Sequence, residues 1–254
     1  MAITHPILAL WAHPRSMSTA IERVMRARGD LTVFHEPFMA DYYMHRANRL
    51  FPMVDTGVPS WVDYPTMRGR ILDAAVHTPV FFKDLSFYAD AILAGDPDFT
   101  RRLTHVFLIR DPRRAIASYW KLDPELTCEE VGLEASWELH QALIDDGQTP
   151  LVIEAEAVGA DPERQIGLIW DHAGLDARAD AFRWQAGEMQ KDWQFVAGWH
   201  RDVAGSTGIK RDSRDPDTVF DAARHAAPHL EDYLEHHWPF YERLRALARK
   251  GIAG

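Results

Sequence analysis

Five short, largely apolar runs separated by helical patterns constrain this chain more than any other feature. They cover residues 7–12, 31–34, 80–83, 103–109 and 151–153, lengths that suit buried strands. Between them helical spacing recurs. Ile21, Val24, Met25 and Arg28 mark a segment running from Ser18 to Gly29, and further patterns cover 39–51, 67–76 and 129–144. Asp111-Pro112 and Asp161-Pro162 open two more helices, each with an acidic cap and a proline at the first helical position; the second ends near Gly174. Such alternation predicts an α/β fold: a parallel β-sheet wound right-handedly, flanked by helices, with ligands at the C-terminal ends of the strands.

At 254 residues the chain is expected to form one domain, an α/β core over 7–175 and a mostly helical C-terminal part over 176–254. That part has a Gly-rich break at 198–208 and a terminal helix from about Leu230. A net charge of −10 argues against a nucleic-acid partner or an anionic membrane surface, though not against a small anionic ligand held by a few fixed cations. No run approaches the ~20 apolar residues that span a bilayer. The first apolar run lacks a basic lead and passes straight into His13-Pro14-Arg15, so it reads as a strand and not as a signal peptide. A cytoplasmic protein is expected, and either a monomer or a homodimer is compatible. Cys128 is the only cysteine, and the His236/His237 pair has no third ligand at metal-binding spacing, so no metal is expected.

Chemistry should then sit just after the strands. The first run leads into His13-Pro14-Arg15-Ser16-Met17-Ser18-Thr19, a hydroxyl-rich loop opening a helix. Free N–H groups and the helix dipole make such a loop an anion cradle, and Arg15 adds a permanent cation. The same residues are compatible with a plain helix capped by Ser18. The nucleotide-triphosphatase pattern GxxxxGK[ST] is absent, which counts against a P-loop-like kinase. The fourth run ends in Arg110, a helix opens at Asp111-Pro112, and Ser118 follows eight residues after the arginine, about two turns up. Arg110 and Ser118 can converge on one phosphate; in isolation they also suit an ion pair and a solvated serine.

Taken together, these motifs resemble the sulfotransferase family that uses 3′-phosphoadenosine 5′-phosphosulfate (PAPS). Pro14-Arg15-Ser16-Met17-Ser18-Thr19 is similar to its 5′-phosphosulfate loop, and Arg110-Asp111-Pro112…Ser118 to its 3′-phosphate motif, in the same order. Leu151-Val152-Ile153-Glu154, Asp161-Pro162 and Ala173-Gly174-Leu175 extend the likeness, which is good over 7–175 and poor beyond. The resemblance implies a P-loop NTPase-like sulfotransferase fold, PAPS as co-substrate, no metal, and a small-molecule acceptor. It implies nucleotide binding by Arg15, Ser16, Met17, Ser18, Thr19, Arg110 and Ser118, and two cups a nucleotide's span apart.

There are departures. The family's loop glycine is Met17, and the aromatic that often follows the loop is Ala20. The C-terminal R-K-G pattern is absent; Gly205-Ser206-Thr207-Gly208-Ile209-Lys210 is either its replacement, a cationic flap using Thr207, Gly208 and Lys210, or a surface turn. Lys83 matches a catalytic strand-end lysine, but the histidine that serves as base two residues on is Leu85 here. The resemblance to bacterial members makes Glu36 the base, set beside apolar Phe34 and Phe38, with His35 and Asp84 in reserve; Glu36 equally suits a structural cap or a pairing with Arg15. Acceptor walls are expected from 38–61, with Tyr42, Tyr43, Phe51 and Trp61, and from 184–199; such rings suit an apolar or aromatic hydroxyl or amine and equally suit an ordinary core. Three rivals stay open: a nucleotide-binding homologue without activity; a P-loop-like kinase, which would need a lysine in the loop and magnesium-binding carboxylates; and an aminotransferase-like protein, which would need a Schiff-base lysine in a larger chain.

Overall fold

The computed structural model describes residues 4–45, 47, 62–185, 187, 193, 199 and 205–251. Among the described residues five parallel strands form one sheet: β1 (Ile7–Ala12), β2 (Thr32–His35), β3 (Val80–Leu85), β4 (Leu103–Ile109) and β5 (Leu151–Glu154). Their spatial order is β2-β3-β1-β4-β5. β1 and β3 are buried at every position, as near-continuous apolar runs in a sheet covered on both faces should be. After β3 the chain crosses over β1 to start the other half of the sheet, so β1 and β4 lie side by side, with Ala12 opposite Leu108. The loops after these two strands therefore emerge together.

The helices are α1 (Ser18–Ala27), α2 (Met39–His45), α3 (Tyr64–Ala74), α4 (Ser86–Gly95), α5 (Pro97–Thr100), α6 (Pro112–Trp120), α7 (Leu133–Asp145), α8 (Ala155–Ala160), α9 (Pro162–His172), α10 (Pro216–Ala226) and α11 (Leu230–Gly251). Aspartate caps recur: Asp111 accepts from the Arg113 N–H at 3.0 Å and Asp161 from that of Arg164 at 3.2 Å. Helices α4, α5 and α8 lie where no helical pattern was read. The expected 129–144 helix is broken: a short 3₁₀ turn (Glu129–Val131) ends at Gly132, and α7 starts afresh. Gly132 has φ 78°, and a Cβ there would come within 3.1 Å of Phe87 Cδ1 and 3.3 Å of His13 Cβ. Gly132→Ala should therefore cost about 2 kcal/mol through left-handed strain and overpacking. Thermal denaturation checks this; an unchanged midpoint would show that the contact yields freely. α10 and α11 pack on α6, and α11 also covers β5 and α7, so the C-terminal helices buttress the second strand-to-helix junction.

A buried polar stitch joins β1 to β4. The Trp11 indole N–H can only donate, so His105 Nδ1 accepts it at 2.8 Å, leaving Nε2 to donate to the Thr100 carbonyl at 3.0 Å. Burial lowers the His105 pKa to about 4. Below pH 6.5 the unfolded chain takes up a proton there that the fold resists, so stability is full above that pH and falls between about 6.5 and 4. The expected loss is roughly 3 kcal/mol. His13 and His237, lowered by burial to about 3 and about 4, act in the same sense. His105→Gln preserves one acceptor and one donor without the titration; melting it across pH 4–7 should show a shallower acid limb than the parent. Identical limbs would place the acid sensitivity elsewhere.

Candidate active site

The loop from β1 to α1 bends through left-handed backbone at two non-glycine residues, Arg15 (φ 63°) and Met17 (φ 74°); Glu36, after β2, is a third at φ 41°. Each such residue stores roughly 1–3 kcal/mol. All three line one cleft of about 380 Å³. Met17, not Ser18, is the N-cap of α1, and no side chain caps the helix. Ser18 is instead the first helical residue. Methionine thus adopts the turn for which the family's motif carries glycine, and the first-turn N–H groups have no side-chain cap competing for them.

Three hydrogen bonds tie this loop to the β4–α6 junction. His13 Nε2 accepts from the Arg110 backbone N–H at 2.9 Å, the Arg15 carbonyl accepts from Arg110 Nη1 at 2.7 Å, and Arg15 Nε donates to Ser118 Oγ at 3.0 Å. A second Arg15 nitrogen reaches the Trp199 carbonyl at 2.9 Å. The two junctions are thus in direct contact. His13 is buried and its low pKa, set by desolvation and then by Arg110, keeps it neutral and able to accept. Arg15, Ser16, Met17, Ser18, Thr19, Arg110 and Ser118 all face the cleft.

Farther along the cleft, Lys83 and Glu36 form an ion pair, with Lys83 only 2% exposed. They are held there because β2 pairs with β3 and the Glu36 N–H donates to the Lys83 carbonyl at 2.9 Å. Glu36 therefore faces a cation and not simply the apolar setting expected from Phe34 and Phe38. Its two reserves do not line the cleft. His35 is buried behind it, with Nδ1 on Glu22 Oε2 at 2.7 Å, and burial holds it neutral, well below the usual imidazole range. Asp84 accepts from the N–H groups of Phe38 (2.8 Å) and Leu85 (2.9 Å), and burial raises its pKa well above the ordinary carboxylate value.

Leu85, Tyr88, Tyr119 and Trp199 supply apolar wall, and Tyr88 is continuous with a cluster of Tyr42, Tyr43 and Phe87. Phe51 and Trp61 lie outside the described residues, as does most of 186–204. From the next segment Ser206, Gly208, Ile209 and Lys210 reach the cleft. Thr207 does not: it is exposed, and its carbonyl accepts from the Trp184 N–H at 3.5 Å.

Residues 6–248 match the family model described as the sulfotransferase domain. The chain belongs to that family. In fold, the chain is similar to a solved sulfotransferase from Alicyclobacillus acidocaldarius, with a TM-score of 0.50 and 14% identity over 88% of this chain and 97% of that one. It is similar also to the sulfotransferase domain of the Synechococcus PCC 7002 olefin synthase, with a TM-score of 0.51 and 14% identity over 88% of this chain and 96% of that one. Two curated relatives from Arabidopsis thaliana, branched-chain-amino-acid aminotransferase-like proteins 2 and 1, are 24% and 25% identical, each match taking in 94% of this chain. The chain spans only 41% and 42% of their lengths.

Sequence reasoning missed several groups at this site. His13, Tyr88, Arg114, Asp212 and Arg214 all bear on it, yet only the Arg113-Arg114 doublet after Asp-Pro, and the charges following Lys210, hinted at them. The structure also gives His236 and His237 a third neighbour: with Cys128 they place one ligand atom each within 4.8 Å of one another. None of the three lines the cleft. His237 Nε2 lies 2.7 Å from the Cys128 carbonyl and His236 Nε2 lies 2.8 Å from Glu134. Among the described residues no helix is long and apolar enough to cross a membrane.

Proposed function

We propose that this sulfotransferase binds PAPS across the two joined junctions and moves its sulfuryl group to a hydroxyl or amine of a small apolar or aromatic acceptor. The observation that carries this reading is the three-bond connection between the Arg15 loop and Arg110/Ser118, which turns two anion cups into one site. The donor set fits the co-substrate: helix-start N–H groups, Arg15 and loop hydroxyls for the 5′ end, Arg110 and Ser118 for the 3′-phosphate.

The acceptor lies against Tyr88 and Leu85, near Glu36 and Lys83. Its oxygen or nitrogen attacks sulfur, the bond from sulfur to the 5′-phosphate oxygen breaks in line, and the acceptor's proton passes to the Glu36 carboxylate. Arg15 stabilises the charge left on the phosphate oxygen. Lys83 fixes Glu36 and sets a cation beside the transferring sulfuryl oxygens. With Ala20 small, the cleft's adenine platform comes from Trp199 or Tyr119, whose rings meet edge to face at 5.3 Å.

Transfer of label from sulfur-35-labelled PAPS to phenols, alkanols and arylamines tests the reading. Glu36→Gln should lower the transfer rate about 10²-fold or more while bisphosphate affinity changes little. Unchanged turnover would remove Glu36 as the base. Binding of the bisphosphate with no transfer to any acceptor class would leave a nucleotide-binding protein and not a transferase.

A further inference from the structure

The second junction carries more cation than the Arg110…Ser118 motif accounts for. Arg114, one turn beyond Arg110, and Arg214, from the segment after Gly208, converge with Arg110 on a single carboxylate oxygen. Asp212 Oδ2 lies 2.9 Å from Arg110 Nη2, 3.1 Å from Arg114 Nη1 and 2.8 Å from Arg214 Nη2. Arg214 Nε also donates to Oδ1 at 2.9 Å. Arg110 and Arg114 are each only 8% exposed, and both, with Asp212, border a smaller cavity of about 110 Å³ adjoining the main cleft. Asp212 itself is part of the main cleft wall.

Three guanidinium groups around one carboxylate leave an excess of positive charge. Glu156, 4.0 Å from Arg114 Nε, offsets only part of it. The hydrogen bonds from Arg214 hold the Asp212 carboxyl well below the usual range, so it stays ionised. A carboxylate has two oxygens in one plane; a phosphate dianion has three in a pyramid and up to twice the charge, and so can give each arginine its own acceptor. The arrangement suits a doubly charged tetrahedral anion better than its present acid.

We propose that Arg114 and Arg214 belong with Arg110 to the cup for the nucleotide's 3′-phosphate, and that the Asp212 carboxylate is an internal occupant which that phosphate displaces. The inference rests on the nucleotide reading above. It makes Asp212 a competitor in cis: apparent affinity is the intrinsic affinity multiplied by the fraction of molecules in which the cup is not filled by the chain's own acid.

Calorimetric titration of the full chain with adenosine 3′,5′-bisphosphate and, separately, adenosine 5′-monophosphate tests it. Asp212→Asn keeps the side chain's size and removes its charge; it should bind the bisphosphate about tenfold more tightly and the monophosphate as before. Asp212→Ser is the second variant, with the same expectation should the asparagine fail to fold. Arg114→Met and Arg214→Met should each weaken the bisphosphate about tenfold or more and spare the monophosphate. If either folded Asp212 variant binds the bisphosphate no better than the parent, the carboxylate is orienting the arginines and the competitor idea is wrong. If the parent chain itself does not prefer the bisphosphate, the nucleotide reading fails first, and this inference with it.

Discussion

Replacing Arg15 with alanine is expected to lower sulfuryl transfer by roughly 10³-fold or more while the chain stays folded. On the proposed reading Arg15 faces the leaving phosphate oxygen, and its side chain bridges Ser118 Oγ and the Trp199 carbonyl. Its guanidinium is therefore held in position before any ligand arrives, so little reorganisation is required during transfer. Its left-handed backbone strain is the same for alanine, so folding should not suffer on that account. Arg15→Lys should recover part of the rate, because it restores the cation but cannot span both acceptors. Labelled PAPS turnover beside a circular-dichroism melt separates the two effects. Near-normal turnover in the alanine variant would move the leaving-group cation elsewhere.

Arg110→Ala is expected to produce the largest loss of nucleotide affinity. Each charge-assisted bond to the 3′-phosphate is worth roughly 1.5–3 kcal/mol, or about 10- to 150-fold in Kd. Arg110 also braces the Arg15 carbonyl at 2.7 Å, so a nucleotide with only a 5′-phosphate should lose something too, of the order of 0.5–1.5 kcal/mol. The ratio of the two losses is the informative quantity. Equal losses for the bisphosphate and the monophosphate would mean that Arg110 acts as a brace alone and touches no phosphate.

The sheet and the two junctions were legible because their signals are local. A buried apolar strand, an Asp-Pro helix start and an arginine between them occupy about a dozen consecutive residues, and the arginine can only end up beside the next helix. The element after β3 was not legible for the converse reason. Helix α4 follows Leu85 with no capping side chain, and Phe87, Tyr88 and Ala89 are all buried, so its residues show no clean amphipathic stripe. The break at Gly132 depends on Phe87 and His13, far away in sequence.

Within the site, Glu36 could be nominated from its position after a strand and Lys83 from its place toward a strand's end, but their pairing could not, since it follows from which strands are neighbours. His35 illustrates the limit of residue type as a guide. An imidazole beside the expected base looks reactive, yet strand alternation turns it away from the cleft and onto Glu22. Asp212 was invisible for a further reason. Acid and base mixed in a Gly/Ser-containing segment read as solvated loop, and only the fold brings that carboxylate to an arginine 102 residues earlier.

The most direct test is a crystal structure of the chain with adenosine 3′,5′-bisphosphate. The expected result places the 5′-phosphate on the N–H groups of residues 16–19 beside Arg15, and the 3′-phosphate on Arg110 and Ser118. A nucleotide bound outside this cleft, or one reaching it with a single phosphate, would contradict the joined-cup site on which the rest depends.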